Sequence, residues 1–137
     1  MKIIGFNLTK ILVEKEEKPQ DKIDINQNIN IESIKKEKIP ISDLDTLKIK
    51  FNLSIVYSDK FANLEFEGFI LVLPEKEELN LFLEQWKDKK IPEKFRVPLF
   101  NFIMNKCNIK ALYLEDEMAL PFHIPMPRIN LQNQKIN

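Results

Sequence analysis

PLFNFIMNKCNIKALYLEDEMAL, residues 98–120, is the stretch on which the reading of this chain turns. At 100° per residue, Phe100, Met104, Cys107, Ala111, Leu114 and Met118 follow one another at steps of four and three, forming one apolar stripe. Phe102, Ile109, Tyr113 and Leu120 line up on the opposite side. Asn101, Asn105, Asn108 and Asp116 fill one flank between the stripes, and Lys106, Lys110 and Glu117 fill the other. A helix that only covers its own core needs one apolar side. This one has two, so it is expected to lie between its own sheet and a second surface, either another subunit or a captured chain.

Upstream, the period changes from helical to two. Ile4, Phe6, Leu8 and Leu12 suggest a first strand with one drier face. Glu14 to Gln20 reads as a charged turn closed by Pro19. Ile23, Ile25, Ile29 and Ile31 then alternate with Asp24, Asn26, Asn28, Asn30 and Glu32, with Gln27 the one lapse on the apolar face. One wet face and one dry face mark an antiparallel sheet. Ile34, Ile39 and Ile41, among lysines and Pro40, are expected to form an irregular connection. Leu47, Ile49, Phe51, Leu53, Ile55 and Tyr57 make the cleanest strand, and Ser58-Asp59-Lys60 a short turn. The fourth strand carries Ala62, Leu64, Phe66, Ile70 and Val72 on one face. Its far end adds Phe69, Leu71 and Leu73 on the other, so the outer face is expected to be covered there. Strands of about ten residues exceed the usual five or six and call for long covering helices.

Pro74 closes the sheet. Leu79, Phe82, Leu83 and Trp86 set the stripe of a short helix, with Lys87 to Lys90 at the end that the helix dipole makes favourable for cations. Pro92 or Pro98 can serve as first-turn proline of the long helix, which is expected to run to Leu120 and stop before Pro121. The tail from Pro121 to Ile129 reads as extended, with a polar end from Gln132. The fold class expected is α+β: a four-stranded long antiparallel sheet over about residues 2–73, a short helix and a long helix over about 75–120, and an extended C-terminal tail over 121–137. All of it forms one domain, 1–137.

Composition narrows the function. Lys plus Arg equals Asp plus Glu, 21 each, so no net field favours nucleic acid or an anionic membrane. No apolar run reaches the ~20 residues of a membrane span, and the start lacks the pattern of a signal peptide. Together with one unpaired Cys107 on an apolar stripe, this suggests a reducing cytoplasm. Cys107 reads as a packed thiol rather than a nucleophile. His123, the one histidine, sits in a proline-rich loop without a Cys or acidic cluster beside it and reads as neither metal ligand nor general base. Glu115, Asp116 and Glu117 point in different directions and read as a solvated helix end. Gly5 and Gly68, the only two glycines, make no phosphate loop, and no serine has a nucleophile-elbow context. No catalytic, metal or cofactor residue is expected, and the chain does not read as an enzyme.

The order of elements resembles the SecB export-chaperone family, with this chain a divergent relative. Phe95-Arg96-Val97-Pro98-Leu99-Phe100 is similar to that family's "LFPYA" lead-in to its long helix. Leu120-Pro121 with Ile124-Pro125-Met126-Pro127-Arg128-Ile129 is similar to its "FPQLNLAPVNF" exit, and Leu8-Thr9-Lys10 fits its first hairpin. The resemblance runs in order from Gly5 to Leu131. It implies a homotetramer, a dimer of dimers with long helices packed between the pairs, and a holdase that covers apolar segments of unfolded clients without ATP. The long helix is about two turns longer than the family's, and the tail lacks the acidic run expected for contact with the SecA motor. Clients other than exported proteins, a toxin–antitoxin pair included, fit equally well.

Ten Phe and four Met supply aromatic area and adaptable contact for such a task. Phe69, Leu71, Leu73, Phe82 and Trp86, with Phe122, Ile124 and Met126 on the tail, are the expected client-contact residues. Phe102, Ile109, Tyr113 and Leu120 are the expected interface between copies. Two other classes fit the pattern: a carrier enclosing a small apolar ligand between sheet and helix, and a non-catalytic assembly subunit.

Overall fold

The period-two segments form one antiparallel sheet and the helical segments lie on one of its faces. The computed structural model describes residues 1–18, 21–40, 43–58 and 60–130. The expected turn at Pro19, the connection at Ile41, the turn centre at Asp59 and the polar end from Gln132 lie outside the described residues. In chain order the elements are β1 (Lys2–Lys15), β2 (Ile25–Lys38), β3 (Asp45–Tyr57), β4 (Ala62–Leu73), α1 (Lys76–Trp86) and α2 (Glu93–Glu117). The strands lie side by side as β1-β4-β3-β2, so β1 and β2 are the sheet edges.

Register explains the alternation and corrects it in three places. The first lies between Ile3 and Gly5: Ile3 opposes Val72 and Gly5 opposes Leu71, which leaves Ile4 as the extra residue, 40% exposed and off the drier face expected for it. Opposed residues in an antiparallel pair share a face. Phe6 opposes Ile70, Leu8 opposes Gly68, and Leu47, Ile49 and Leu53 of β3 oppose Val72, Ile70 and Phe66. These residues make the helix-covered face, where β3 and β4 bury nearly every apolar side chain completely. The register of β1 shifts between Leu8 and Lys10, so Ile11 opposes Phe66 and Val13 opposes Leu64. The bulge moves Leu12 to the outer face, opposite Glu65, instead of continuing the line of Phe6 and Leu8. The third shift, in β2 between Ile31 and Ser33, turns Ile34 inward against Ile49. The segment expected to be an irregular connection is thereby a continuation of β2, with Ile34 buried.

Gly68 lies opposite the β1 bulge. A Cβ there would stand 2.2 Å from the Asn7 carbonyl oxygen and 3.1 Å from the Phe51 ring, so only glycine lets the two strands approach.

Phe95, Leu99, Ile103, Cys107 and Ala111 are the α2 residues with apolar side chains that disappear into the core, each four after the last, and Glu115 continues the line. Steps of four rather than alternating threes and fours let the buried line drift around the helix, as the twisted sheet beneath it demands. Phe100, Met104, Leu114 and Met118 flank that line, half-buried. The helix begins at Glu93 with Pro92 as its N-cap, so Pro98 lies inside it, exposed, rather than starting it. Its end also differs from expectation. Met118 caps it, Ala119 adopts φ 53°, and Leu120 N–H bonds the Glu115 carbonyl at 2.8 Å, closing the helix three residues before Pro121. α1 starts with Glu78 accepting from the Glu75 N–H at 2.8 Å, and it buries Phe82 against Phe95, ring centroids 5.2 Å apart.

Candidate functional site

Three apolar surfaces and one buried polar cluster lie outside the plain core. The first surface is a trough of about 420 Å³ along the β2 edge. Ile29, Asn30, Ile31 and Glu32 of β2 form one wall, and Trp86 at the end of α1, Lys89 and Ile91 of the turn and Phe100 of α2 form the other, so apolar and polar side chains alternate along it. The turn between the helices builds this wall. Lys89 adopts φ 59° to reverse the chain after α1, and its ammonium lies over the Trp86 ring at 4.9 Å from the centroid. Trp86 is left half-buried, one side on the core and the other toward the trough. Ile29, Ile31, Ile91 and Phe100 are trough residues that the sequence pattern did not single out as a site. The signal was present in Phe100 and Ile91 flanking a proline-bounded turn after Trp86.

The second surface is the outer sheet face. On the face away from the helices, Phe69 lies between Asn7 and Lys50, Leu71 between Gly5 and Lys48, and Leu73 opposite Lys2, and each is half-buried. Lys48 covers part of Phe69 at 4.3 Å from the ring centroid. This placement separates them from Trp86: the sheet stands between, and the two sets do not make one groove. Phe82 offers no surface to either, being fully buried.

The third is the outer line of α2, two residues on from each buried position. Val97, Ile109 and Tyr113 stand there 59%, 72% and 66% exposed, with Asn101 and Asn105 between them. Phe102 is not on this line. It sits 100° from Ile103, and its ring meets Phe6 of β1 edge-on at 6.0 Å. Leu120 is also absent from it, since the turn after the helix folds it into the core at 6% exposure. Of the four residues expected at an interface, only Ile109 and Tyr113 therefore present free apolar surface.

The tail contributes unevenly. Phe122 and Met126 are 40% and 49% exposed, and Ile124 is half-buried. Between them, His123 turns inward. Its Nδ1 lies 2.9 Å from both carboxylate oxygens of Glu115, and its Nε2 lies 2.9 Å from Asn108 Oδ1. Gln27 of β2 donates to the same Asn108 oxygen at 2.9 Å. The Tyr57 hydroxyl contacts Glu115 and lies 2.8 Å from the Pro121 carbonyl. Burial, reinforced by its hydrogen bond to Glu115 and by that carboxylate's charge, pushes the Tyr57 phenol far above its ordinary range. The Glu115 and His123 side chains are 0% and 2% exposed, so neither reaches solvent or a substrate. Glu115 is thus not the solvated residue its neighbours suggested, nor His123 an unattached loop residue.

Chemically these surfaces can cover apolar chain, and none places a nucleophile beside a base. Among the described residues no group of three or more His, Cys, Asp or Glu is arranged to hold a metal ion. No helix among them is long and apolar enough to cross a membrane.

No family model and no curated protein matches the chain. Among solved structures it is similar to the SecB-like chaperone of Mycobacterium tuberculosis in complex with a ChAD peptide from an antitoxin. The two are 15% identical over 94% of this chain and 90% of that one, with a TM-score of 0.49.

Proposed function

We propose that this protein is an ATP-independent holdase that binds unfolded polypeptides as extended segments laid along the β2 edge. The observation that carries the reading is the trough itself. An aromatic wall of Trp86 and Phe100 faces Ile29 and Ile31 beside a strand that pairs on one side only. An extended client gains main-chain hydrogen bonds from such an edge and side-chain burial from the wall. Both terms tolerate varied sequences. The half-buried outer-face residues Phe69, Leu71 and Leu73 provide a second, separate contact, and Phe122, Ile124 and Met126 a third.

Assembly belongs to the same reading. Ile109 and Tyr113 are large apolar side chains on the side of α2 turned away from its own sheet, and a second copy of the helix would cover them. The chain-order resemblance to SecB implies a tetramer built that way, a cytoplasmic location, and either exported or dedicated clients. A small-ligand carrier is less well supported, because α2 fills the space over the sheet with close-packed side chains.

The test dilutes a chemically unfolded reporter protein into buffer with and without this protein and follows light scattering without nucleotide. Suppression is expected. Trp86→Ser should weaken it several-fold at a temperature where circular dichroism shows the variant still folded, and Phe69→Ser should weaken it less. No suppression by the natural chain, or full suppression by Trp86→Ser, overturns the reading.

A further inference from the structure

We propose that the β2 trough selects extended polypeptides in which acidic side chains stand directly beyond the apolar stretch, because the trough opens into a cation-lined hollow. The inference rests on the trough being the polypeptide site and names the kind of segment it takes.

The hollow measures about 490 Å³. It shares Lys89, Ile91 and Phe100 with the trough and adds Lys90, Glu93 and Arg96. No residue of β2 lines it, so it adjoins the trough on the side of the helix wall away from the strand. A chain laid against β2 therefore meets Ile29, Ile31 and Trp86 first, and reaches the cations only where it passes over Ile91 and Phe100.

The turn between the helices puts the charges there. Lys89 reverses the chain at φ 59°, and the Lys90 N–H bonds the Gln85 carbonyl at 3.1 Å, which sets both lysines beside the first turn of α2 that carries Arg96. Glu93, the hollow's only carboxylate, lies 3.6 Å from Arg96 Nη1. Among the described residues neither Lys89 nor Lys90 pairs with a carboxylate. Nearby Glu84 is held by Lys87 at 3.1 Å, and Asp88 lines neither the hollow nor the trough. Three cations thus stand against one carboxylate, in a chain whose formal net charge is zero.

The strand wall carries the opposite sign. Glu32 of β2 is the trough's only carboxylate, and an acid lying against the strand would meet it. An acid past the wall would instead meet Lys89, Lys90 and Arg96. Position is selected as well as sign: acid outside the apolar run, not within it. Pairs between exposed charges are individually weak and screened by salt, so the preference is modest and depends on ionic strength.

The experiment measures peptide binding by anisotropy with an uncharged fluorophore. The peptides alternate valine and serine and carry two aspartates, or two glutamines, at each end. The natural chain is expected to bind the aspartate-flanked peptide about three- to tenfold more tightly at low salt. The difference should vanish at about 0.5 M salt. A third peptide, with the same aspartates moved into serine positions within the run, should bind less tightly than the flanked one. Lys90→Gln with Arg96→Gln should bring the ratio of aspartate-flanked to glutamine-flanked affinity close to one. Equal affinities for the two flanks in the natural chain, equal binding of the third peptide, or a preference that survives the double substitution overturns the proposal. Trp86→Ser keeps the two readings apart, because it should weaken binding of both flanked peptides. If it does so while the flanks bind alike, the trough stands and the charge selection falls. If it weakens neither, the trough reading fails and the selection with it.

Discussion

Ala119 adopts a left-handed backbone, φ 53°, at the turn that closes α2. An L side chain there crowds the following carbonyl, at a cost of roughly 1–2 kcal/mol, and glycine is the residue this turn ordinarily takes. Ala119→Gly should therefore raise unfolding stability by about 1 kcal/mol in a denaturant titration, and a loss of stability would show that the turn is held differently. Cys107 supplies a second check. It is completely buried, and that burial pushes its thiol up to about 11, with Lys110 pulling weakly the other way. A thiol reagent at neutral pH should leave the folded protein unlabelled and label it once denatured; rapid labelling of the native state would mean that α2 does not seat Cys107 on the sheet. At this scale the sequence told the truth about Cys107 and misled about Glu115. Read among Asp116 and Glu117, Glu115 looked solvated, yet it stands four after Ala111 and eight after Cys107, on the buried line. Its partner His123 lies beyond the helix end, and no periodicity links a helix to a tail.

Strand identity was legible because period two survives long stretches, but the two shifts in β1 and the one in β2 were not. A bulge adds one residue without a residue type of its own, and every side chain beyond it changes face. Ile4, Leu12 and Ile34 were misplaced for that reason alone. In α2 the two-sided apolar character was legible, and its exact lines were not. The twist of the sheet selects steps of four, which moved Phe102 to a flank against Phe6 and left Ile109 and Tyr113 as the free pair. Substitutions should separate the two sets. Phe102→Asp places a charge beside Phe6 and is expected to cost a few kcal/mol of stability. Ile109→Asp with Tyr113→Asp should leave the melt within about 0.5 kcal/mol per substitution, as for exposed sites, while lowering the native mass measured by light scattering. An unchanged mass would remove Ile109 and Tyr113 from any contact between copies.

At the scale of the whole molecule, the sheet has two edge strands: β1 packs Phe6 edge-on against Phe102, while β2 runs beside the trough that Trp86 and Phe100 wall. That asymmetry was invisible in the sequence, because strand order is set by tertiary pairing and not by any one strand's composition. The proposed function depends on it. Clients that simply adhered to exposed apolar side chains would spread over Phe69, Tyr113 and Phe122 alike, whereas clients that add to the edge must shield β2 amides from water. Hydrogen–deuterium exchange of the protein with an unfolded client bound measures that difference directly. Slowed exchange is expected in residues 25–31 of β2 together with the segment from Trp86 to Phe100, and little change in β1. Protection confined to the outer face of β4 or to α2, with β2 exchanging as fast as in the free protein, would contradict it.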